Sequence, residues 1–239
     1  MSIKIDKPSD LAPYIDHTVL KKDATEKDIE KIFAEAKQYG FYSVCIRSEW
    51  VKKAKALLEG SPVKVCSVVG FPLDPVQPEN CHFGNIPTEE KVAEAKKAIA
   101  DGADELDMVI NIDVLKKGDF EYAKKDISSV KNAAGSKILK VIIETAVLNE
   151  AQKKQACQLS KEARADFVKT STGYVKDKEG KTLGATVDDI KLMRSIVGDI
   201  MGVKASGGIG DYEKAKAMIE AGANRIGCSA SVFIVTGGE

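Results

Sequence analysis

Eight short runs rich in apolar and β-branched residues alternate with segments of helical periodicity, and this alternation constrains the fold more than any other feature. The predicted strands cover residues 15–20, 42–46, 63–69, 105–110, 137–143, 166–169, 200–204 and 225–227. The predicted helices cover residues 25–39, 49–58, 88–100, 120–134, 150–163, 186–197, 212–221 and 230–235, and a short helix near 9–14 precedes them. Eight strand–helix units in a chain of this length predict one (β/α)8 TIM-barrel domain over residues 1–239, since such barrels usually have ~250 residues. A doubly wound open sheet is the alternative, but no strand is followed by GxGxxG.

Composition excludes several classes of protein. Lysine plus arginine and aspartate plus glutamate number 36 each, so no net charge draws the chain to nucleic acid or to an anionic membrane. Neither an apolar run of membrane-spanning length nor a secretory leader is seen, which predicts a cytoplasmic enzyme or binding protein.

Cysteine and histidine usage argues against a resident metal. Five scattered cysteines without a CxxC pair are expected to be reduced thiols, and His17 and His82 show no metal-ligand spacing. We therefore expect no protein-bound metal and no cofactor.

Two lysines stand at the predicted ends of neighbouring strands. Lys169 closes the sixth predicted strand and Lys204 the seventh, which places them side by side at one rim of the barrel. Two adjacent ammonium groups disfavour each other's charge, so Lys204 is expected to lower the pKa of Lys169 and produce an amine nucleophile. Asp107 on the fourth strand could move protons beside them.

Further charges on strands point to the same end of the barrel. Lys140 and Glu144 share one face of the fifth strand by two-residue alternation, and Asp16 and His17 open the first strand. Any one of them is explained equally well by a structural ion pair or a rim charge. Several inside one barrel favour a catalytic site, because buried ion pairs seldom stabilise more than apolar replacements would.

Glycine-rich loops follow the last two predicted strands. Gly207 and Gly208 follow the seventh strand, and Gly227 and Ser229 follow the eighth. In TIM barrels these loops and the helix N-termini after them often bind phosphate. The charged run at 176–181 is predicted to be a solvated surface loop.

Six segments together resemble the deoxyribose-phosphate aldolase family, in order and over nearly the whole chain. The segments are Ile15-Asp16-His17-Thr18, Val69-Gly70-Phe71-Pro72-Leu73, Glu105-Leu106-Asp107-Met108-Val109-Ile110-Asn111, Leu139-Lys140-Val141-Ile142-Ile143-Glu144-Thr145, Phe167-Val168-Lys169-Thr170-Ser171-Thr172-Gly173 and Val203-Lys204-Ala205-Ser206-Gly207-Gly208-Ile209. The resemblance implies a metal-independent class I aldolase of deoxyribonucleotide catabolism. Such an enzyme reversibly cleaves 2-deoxy-D-ribose 5-phosphate into D-glyceraldehyde 3-phosphate and acetaldehyde.

The resemblance also implies a role for individual residues. Lys169 would form the Schiff base, Lys204 would tune it, and Asp107 would donate and accept protons. The remaining matched positions would bind substrate (Asp16, Thr18, Cys45, Lys140 and Thr172) or its phosphate (Gly173, Gly207, Gly208, Gly227 and Ser229). The chain departs from the family pattern at Tyr174, which opens a longer charged loop, and at Ala230, where a second serine is common.

The expected partners are phosphorylated deoxysugars and aldehydes, with a second copy of the chain in a homodimer or small homo-oligomer. Two other readings stay open at this point. One is a different Schiff-base sugar-phosphate aldolase or an isomerase, and the other is a non-catalytic sugar-phosphate binding protein, which would leave the two lysines unexplained.

Overall fold

Eight parallel strands close into a barrel in a computed structural model that describes residues 4–238. The strands are β1 (Ile15–Val19), β2 (Ser43–Ile46), β3 (Lys64–Val69), β4 (Glu105–Val109), β5 (Ile138–Ile142), β6 (Phe167–Lys169), β7 (Gly202–Ser206) and β8 (Arg225–Cys228). Each pairs with its neighbours in sequence order, and β1 pairs with β8. The prediction of a TIM barrel is confirmed, and the open sheet is excluded.

Helices surround the barrel and bury their apolar faces against the strands. They are α1 (Glu26–Tyr39), α2 (Val51–Leu57), α3 (Thr88–Ala100), α4 (Ile112–Lys117), α5 (Phe120–Ala134), α6 (Glu150–Glu162), α7 (Val187–Val197), α8 (Tyr212–Glu220) and α9 (Ser231–Thr236). The short N-terminal helix is a 3₁₀ helix, Pro8–Tyr14. Within residues 4–238 no helix is both long enough and apolar enough to cross a membrane.

Helix α1 shows how local sequence sets these elements. Thr25 accepts a hydrogen bond from the backbone N–H of Asp28, whose carboxylate accepts in return from the backbone N–H of Thr25. The helix buries the stripe that contains Ile29 and Phe33, and Gly40 ends it in the left-handed conformation at φ 68°. Burying one such aromatic or aliphatic side chain contributes about 1.5–3 kcal/mol.

Each strand differs from its predicted bounds by one or two residues, and two of these differences affect predicted site residues. Strand β7 continues to Ser206, so Lys204 lies in mid-strand and does not close it. Strand β5 ends at Ile142, and Glu144 follows in a left-handed turn at φ 56°, so the expected alternation with Lys140 does not reach it. Although Lys204 lies in mid-strand, it is still adjacent to Lys169 as predicted, because the two residues are register partners on β6 and β7.

Candidate active site

A single carboxylate oxygen joins the two predicted lysines. Lys169 Nζ lies 2.7 Å and Lys204 Nζ 2.8 Å from Asp107 Oδ2, and all three side chains are buried. Register partners on parallel strands point to the same side of a sheet, which explains why these side chains meet inside the barrel. The predicted catalytic trio is therefore brought together in space.

An ion network extends further into the barrel below this trio. Lys140 Nζ lies 2.9 Å from Asp107 Oδ1 and 2.6 Å from Glu105 Oε2. Arg225 lies 2.8 Å from Asp16 Oδ1 and 3.2 Å from Glu105 Oε2, and Lys204 also contacts Asp16. Arg225 was not predicted to join this network, because sequence periodicity does not show which strand residues face inward at the bottom of the barrel.

The network fixes the charge of its central carboxylate. Burial opposes ionisation, but Lys140, Lys169 and Lys204 together hold the pKa of Asp107 well below its ordinary value. Burial also opposes the ammonium of Lys204, yet Asp107 and Asp16 raise the pKa of Lys204 above its ordinary value. Asp107 is thus a carboxylate in the resting protein, and Lys204 is a cation.

The first strand divides its two ionisable residues between two environments. Asp16 faces the barrel interior, where Ser43 Oγ donates to it at 2.6 Å. His17 lies on the other side of the strand, with Nε2 2.8 Å from Glu35 Oε2 and Nδ1 2.9 Å from Ser231 Oγ. Asp16 therefore belongs to the charged cluster and His17 does not.

Two cysteines adjoin the central carboxylate. Cys45 and Cys66 are register partners on β2 and β3, and Cys66 Sγ lies 3.2 Å from Asp107 Oδ1. Their sulfurs and an Asp107 oxygen all lie within 4.8 Å of one another, a grouping that could hold a metal ion. Sequence spacing cannot show it, because the three residues come from three strands. Lysine ammonium groups already contact both Asp107 oxygens, so a cation there would meet like charges.

Glu144 is a further site residue whose role could not be predicted from the sequence. Its Oε2 accepts hydrogen bonds from the backbone N–H of Thr172 at 3.0 Å and from Thr172 Oγ1 at 2.6 Å. Burial raises the pKa of Glu144 to about 7. Glu144 thus ties the turn after β5 to the loop that carries Lys169.

A cavity of about 790 Å³ opens above Lys169 at the carboxyl ends of the strands. The predicted substrate and phosphate residues that line it are Thr18, Lys169, Thr172, Gly173, Gly207, Gly208, Gly227 and Ser229. The backbone is crowded here, since a Cβ on Gly184 would lie 2.2 Å from the carbonyl oxygen of Gly207. Asp16, Cys45, Asp107, Lys140 and Lys204 are not among the described lining residues and lie deeper in the barrel.

Tyr174 lines one side of this cavity and packs against Phe71. Tyr174 Oη donates to the carbonyl oxygen of Leu20 at 2.8 Å, and its ring meets Phe71 edge-on with centroids 5.2 Å apart. This contact ties the loop after β6 to the end of β1 and gives the departure at Tyr174 a structural role.

The loop after Tyr174 only partly fits its prediction. Lys178 and Glu179 are exposed, as expected of a solvated run. Lys176 and Lys181 instead line the cavity, because bridges from Val175 to Val76 and from Lys176 to Thr182 fold the loop back. The prediction of a solvated run therefore holds for Lys181, which is exposed as well as lining the cavity, and fails for Lys176, which is half-buried.

Comparison with known proteins agrees with this geometry. A family model described as DeoC/LacD family aldolase matches residues 11–231. The chain belongs to this aldolase family. It is 57% identical to a deoxyribose-phosphate aldolase of Thermococcus gammatolerans, over 95% of this chain and 96% of that protein. It is 55% identical to a deoxyribose-phosphate aldolase of Brevibacillus brevis, over 95% of each chain.

Solved structures of family members share the fold. A tetrameric deoxyribose phosphate aldolase from Aeropyrum pernix superposes with a TM-score of 0.82 at 33% identity, covering 97% of this chain and 92% of the other. The family resemblance inferred from the six segments is confirmed.

Proposed function

We propose that this aldolase reversibly cleaves 2-deoxy-D-ribose 5-phosphate into D-glyceraldehyde 3-phosphate and acetaldehyde through a Schiff base on Lys169. The observation that carries the proposal is the position of Lys169 at the cavity floor, with its Nζ 2.7 Å from the Asp107 carboxylate and in register with Lys204. We infer the substrate from the relatives at 55–57% identity, which are deoxyribose-phosphate aldolases.

The contacts of Lys169 support its assignment as the nucleophile. The cluster holds four cations, Lys140, Lys169, Lys204 and Arg225, against the three carboxylates of Asp16, Glu105 and Asp107. Lys169 contacts one of these carboxylates, whereas each of the other three cations contacts at least two. Releasing a proton from Lys169 therefore removes the excess charge and breaks the fewest ion pairs.

The steps of the proposed reaction all take place at or beside the Lys169 amine. The free amine adds to the C1 aldehyde of the open-chain sugar and water leaves, which forms an iminium. A base takes the proton of the C3 hydroxyl, the C2–C3 bond breaks, and its electron pair enters the iminium to give an enamine. Protonation of the enamine at C2 and hydrolysis release acetaldehyde, which carries C1 and C2, and regenerate the amine.

Asp107 is the residue we propose for these proton transfers. It is ionised at rest, so it accepts first and donates afterwards, directly or through a water. Lys204 keeps a positive charge beside the reacting nitrogen throughout. Transfers of this kind are typically worth ~10²–10⁴-fold in rate.

The remaining assignments form part of the same proposal. Asp16, Thr18, Cys45, Lys140 and Thr172 would shape the sugar site, and the backbone at Gly173, Gly207, Gly208 and Gly227, with Ser229, would receive the phosphate. We also propose a cytoplasmic role in deoxyribonucleotide catabolism, which the five buried free thiols support. A homo-oligomer is supported by the tetrameric relative.

The direct test is cleavage of the deoxysugar phosphate by Lys169→Met, with both products measured. We expect loss of turnover in this variant and full turnover in the control Lys178→Met, which changes an exposed lysine of the nearby loop. Turnover retained by Lys169→Met would overturn the proposal.

A further inference from the structure

The charged side chains that line the cavity above Lys169 are all positive. Lysines Lys21, Lys169, Lys176, Lys181 and Lys214 line it, and no aspartate or glutamate is among its described lining residues. The whole chain carries equal numbers of acidic and basic residues, so the imbalance is local. Lys21 is neutralised by Asp28 at 3.0 Å, and Lys169 by Asp107.

The other three, which we call the mouth lysines (Lys176, Lys181 and Lys214), form no ion pair with any carboxylate of residues 4–238. Lys176 Nζ donates to the neutral hydroxyl of Thr182 at 2.5 Å. The loop folded back by Val175 and Thr182 brings Lys176 and Lys181 to the cavity, so their presence there follows from the local fold.

Lys214 reaches the same place from another element. It lies in the first turn of α8, and its Nζ would be 3.5 Å from a Cβ on Gly208. Its ammonium therefore lies directly beside one of the loops assigned to the phosphate. Lysines from two separate segments, none with a carboxylate partner, thus surround one end of one cavity.

We propose that the mouth lysines bind the phosphate group of the substrate and make the enzyme select phosphorylated over unphosphorylated deoxysugars. A phosphate monoester carries about −1.5 to −2 charge near neutral pH, and neutral backbone N–H groups leave that charge uncompensated. Lysine ammonium groups compensate this negative charge, and each charge-assisted hydrogen bond strengthens binding roughly ten-fold or more. This inference rests on the proposed function and names residues that set its specificity.

The test compares two substrates that differ only in the phosphate. The variants are Lys181→Met, Lys214→Met and the double variant, with Lys178→Met as control, because Lys178 is exposed in the same loop and does not line the cavity. For 2-deoxyribose 5-phosphate we expect the double variant to lose roughly 100-fold in kcat/KM, mainly through KM. For 2-deoxyribose we expect little change in kcat/KM, and competitive inhibition by inorganic phosphate should weaken in parallel with the loss.

Two outcomes would overturn the inference. Equal losses with both substrates would show that the lysines support the loop and do not read the phosphate. Unchanged kinetics with both would show that they are solvated surface charges. A third measurement separates this failure from failure of the proposed function, because borohydride trapping of acetaldehyde involves no phosphate. If acetaldehyde is trapped on Lys169 but the variants do not change the preference for the phosphorylated substrate, only the proposed role of the mouth lysines is refuted.

Discussion

The buried carboxyl of Glu144 should make the protein less stable as the pH rises. The folded protein holds the Glu144 proton up to about pH 7, whereas an ordinary glutamate holds it only up to about 4.5. Between these values the folded state binds more protons than the unfolded chain, so stability falls with increasing pH. At about 1.4 kcal/mol per pH unit, the full loss is about 3 kcal/mol at pH 8.

Glu144→Gln removes this dependence and keeps an oxygen that can accept from the N–H of Thr172. We expect the variant to gain on the wild type by about 2 kcal/mol between pH 5 and pH 8. Urea unfolding at a fixed protein concentration measures the difference at each pH. The control is Glu150→Gln, an exposed substitution at the start of α6. Its difference in unfolding free energy from the wild type should be the same at pH 5 and pH 8. Parallel pH profiles for wild type and Glu144→Gln would refute the reasoning.

Three further results follow from the ion network and its surroundings. Lys204→Leu should cost roughly 10²–10⁴-fold in turnover, because Asp107 loses one of the three lysines that hold its carboxylate ionised and in place; turnover within a few-fold of the wild type would contradict this. Asp126→Asn should cost roughly 3–5 kcal/mol in urea unfolding, because it leaves the buried Lys91 without its carboxylate partner at 2.6 Å. The exposed Glu150→Gln should leave urea unfolding nearly unchanged, and equal losses in the two variants would contradict the role of burial. EDTA should leave cleavage unchanged, because the proposed electron sink is an iminium; inhibition reversed by added metal would revive a metal mechanism.

Local sequence signals predict the fold of this chain well because barrels are built from repeated short units. Each strand is a short apolar run, and caps such as Thr25 or stops such as Gly40 mark helix ends without reference to the rest of the chain. Helix α4 was not predicted, because it has only six residues and follows β4 almost directly.

The site also contains residues that local sequence predicts and residues that it does not. Lys169, Lys204 and Asp107 could be found because a charge on an apolar strand is conspicuous, and register then brings them together. Glu144, Lys176 and Lys181 lie in turns and loops, and Lys214 lies at the start of a helix, where a charge is ordinary. Their importance depends on how the backbone folds back over the cavity, which no periodicity encodes.

Borohydride reduction with peptide mapping identifies the lysine that forms the Schiff base. Only an unprotonated lysine can form an imine with acetaldehyde, and reduction converts that imine into a stable N-ethyl lysine. We expect one ethylated peptide, the one that contains Lys169, and none in Lys169→Met. An adduct on Lys204 or on any other lysine, or no adduct at all in an active preparation, would contradict it.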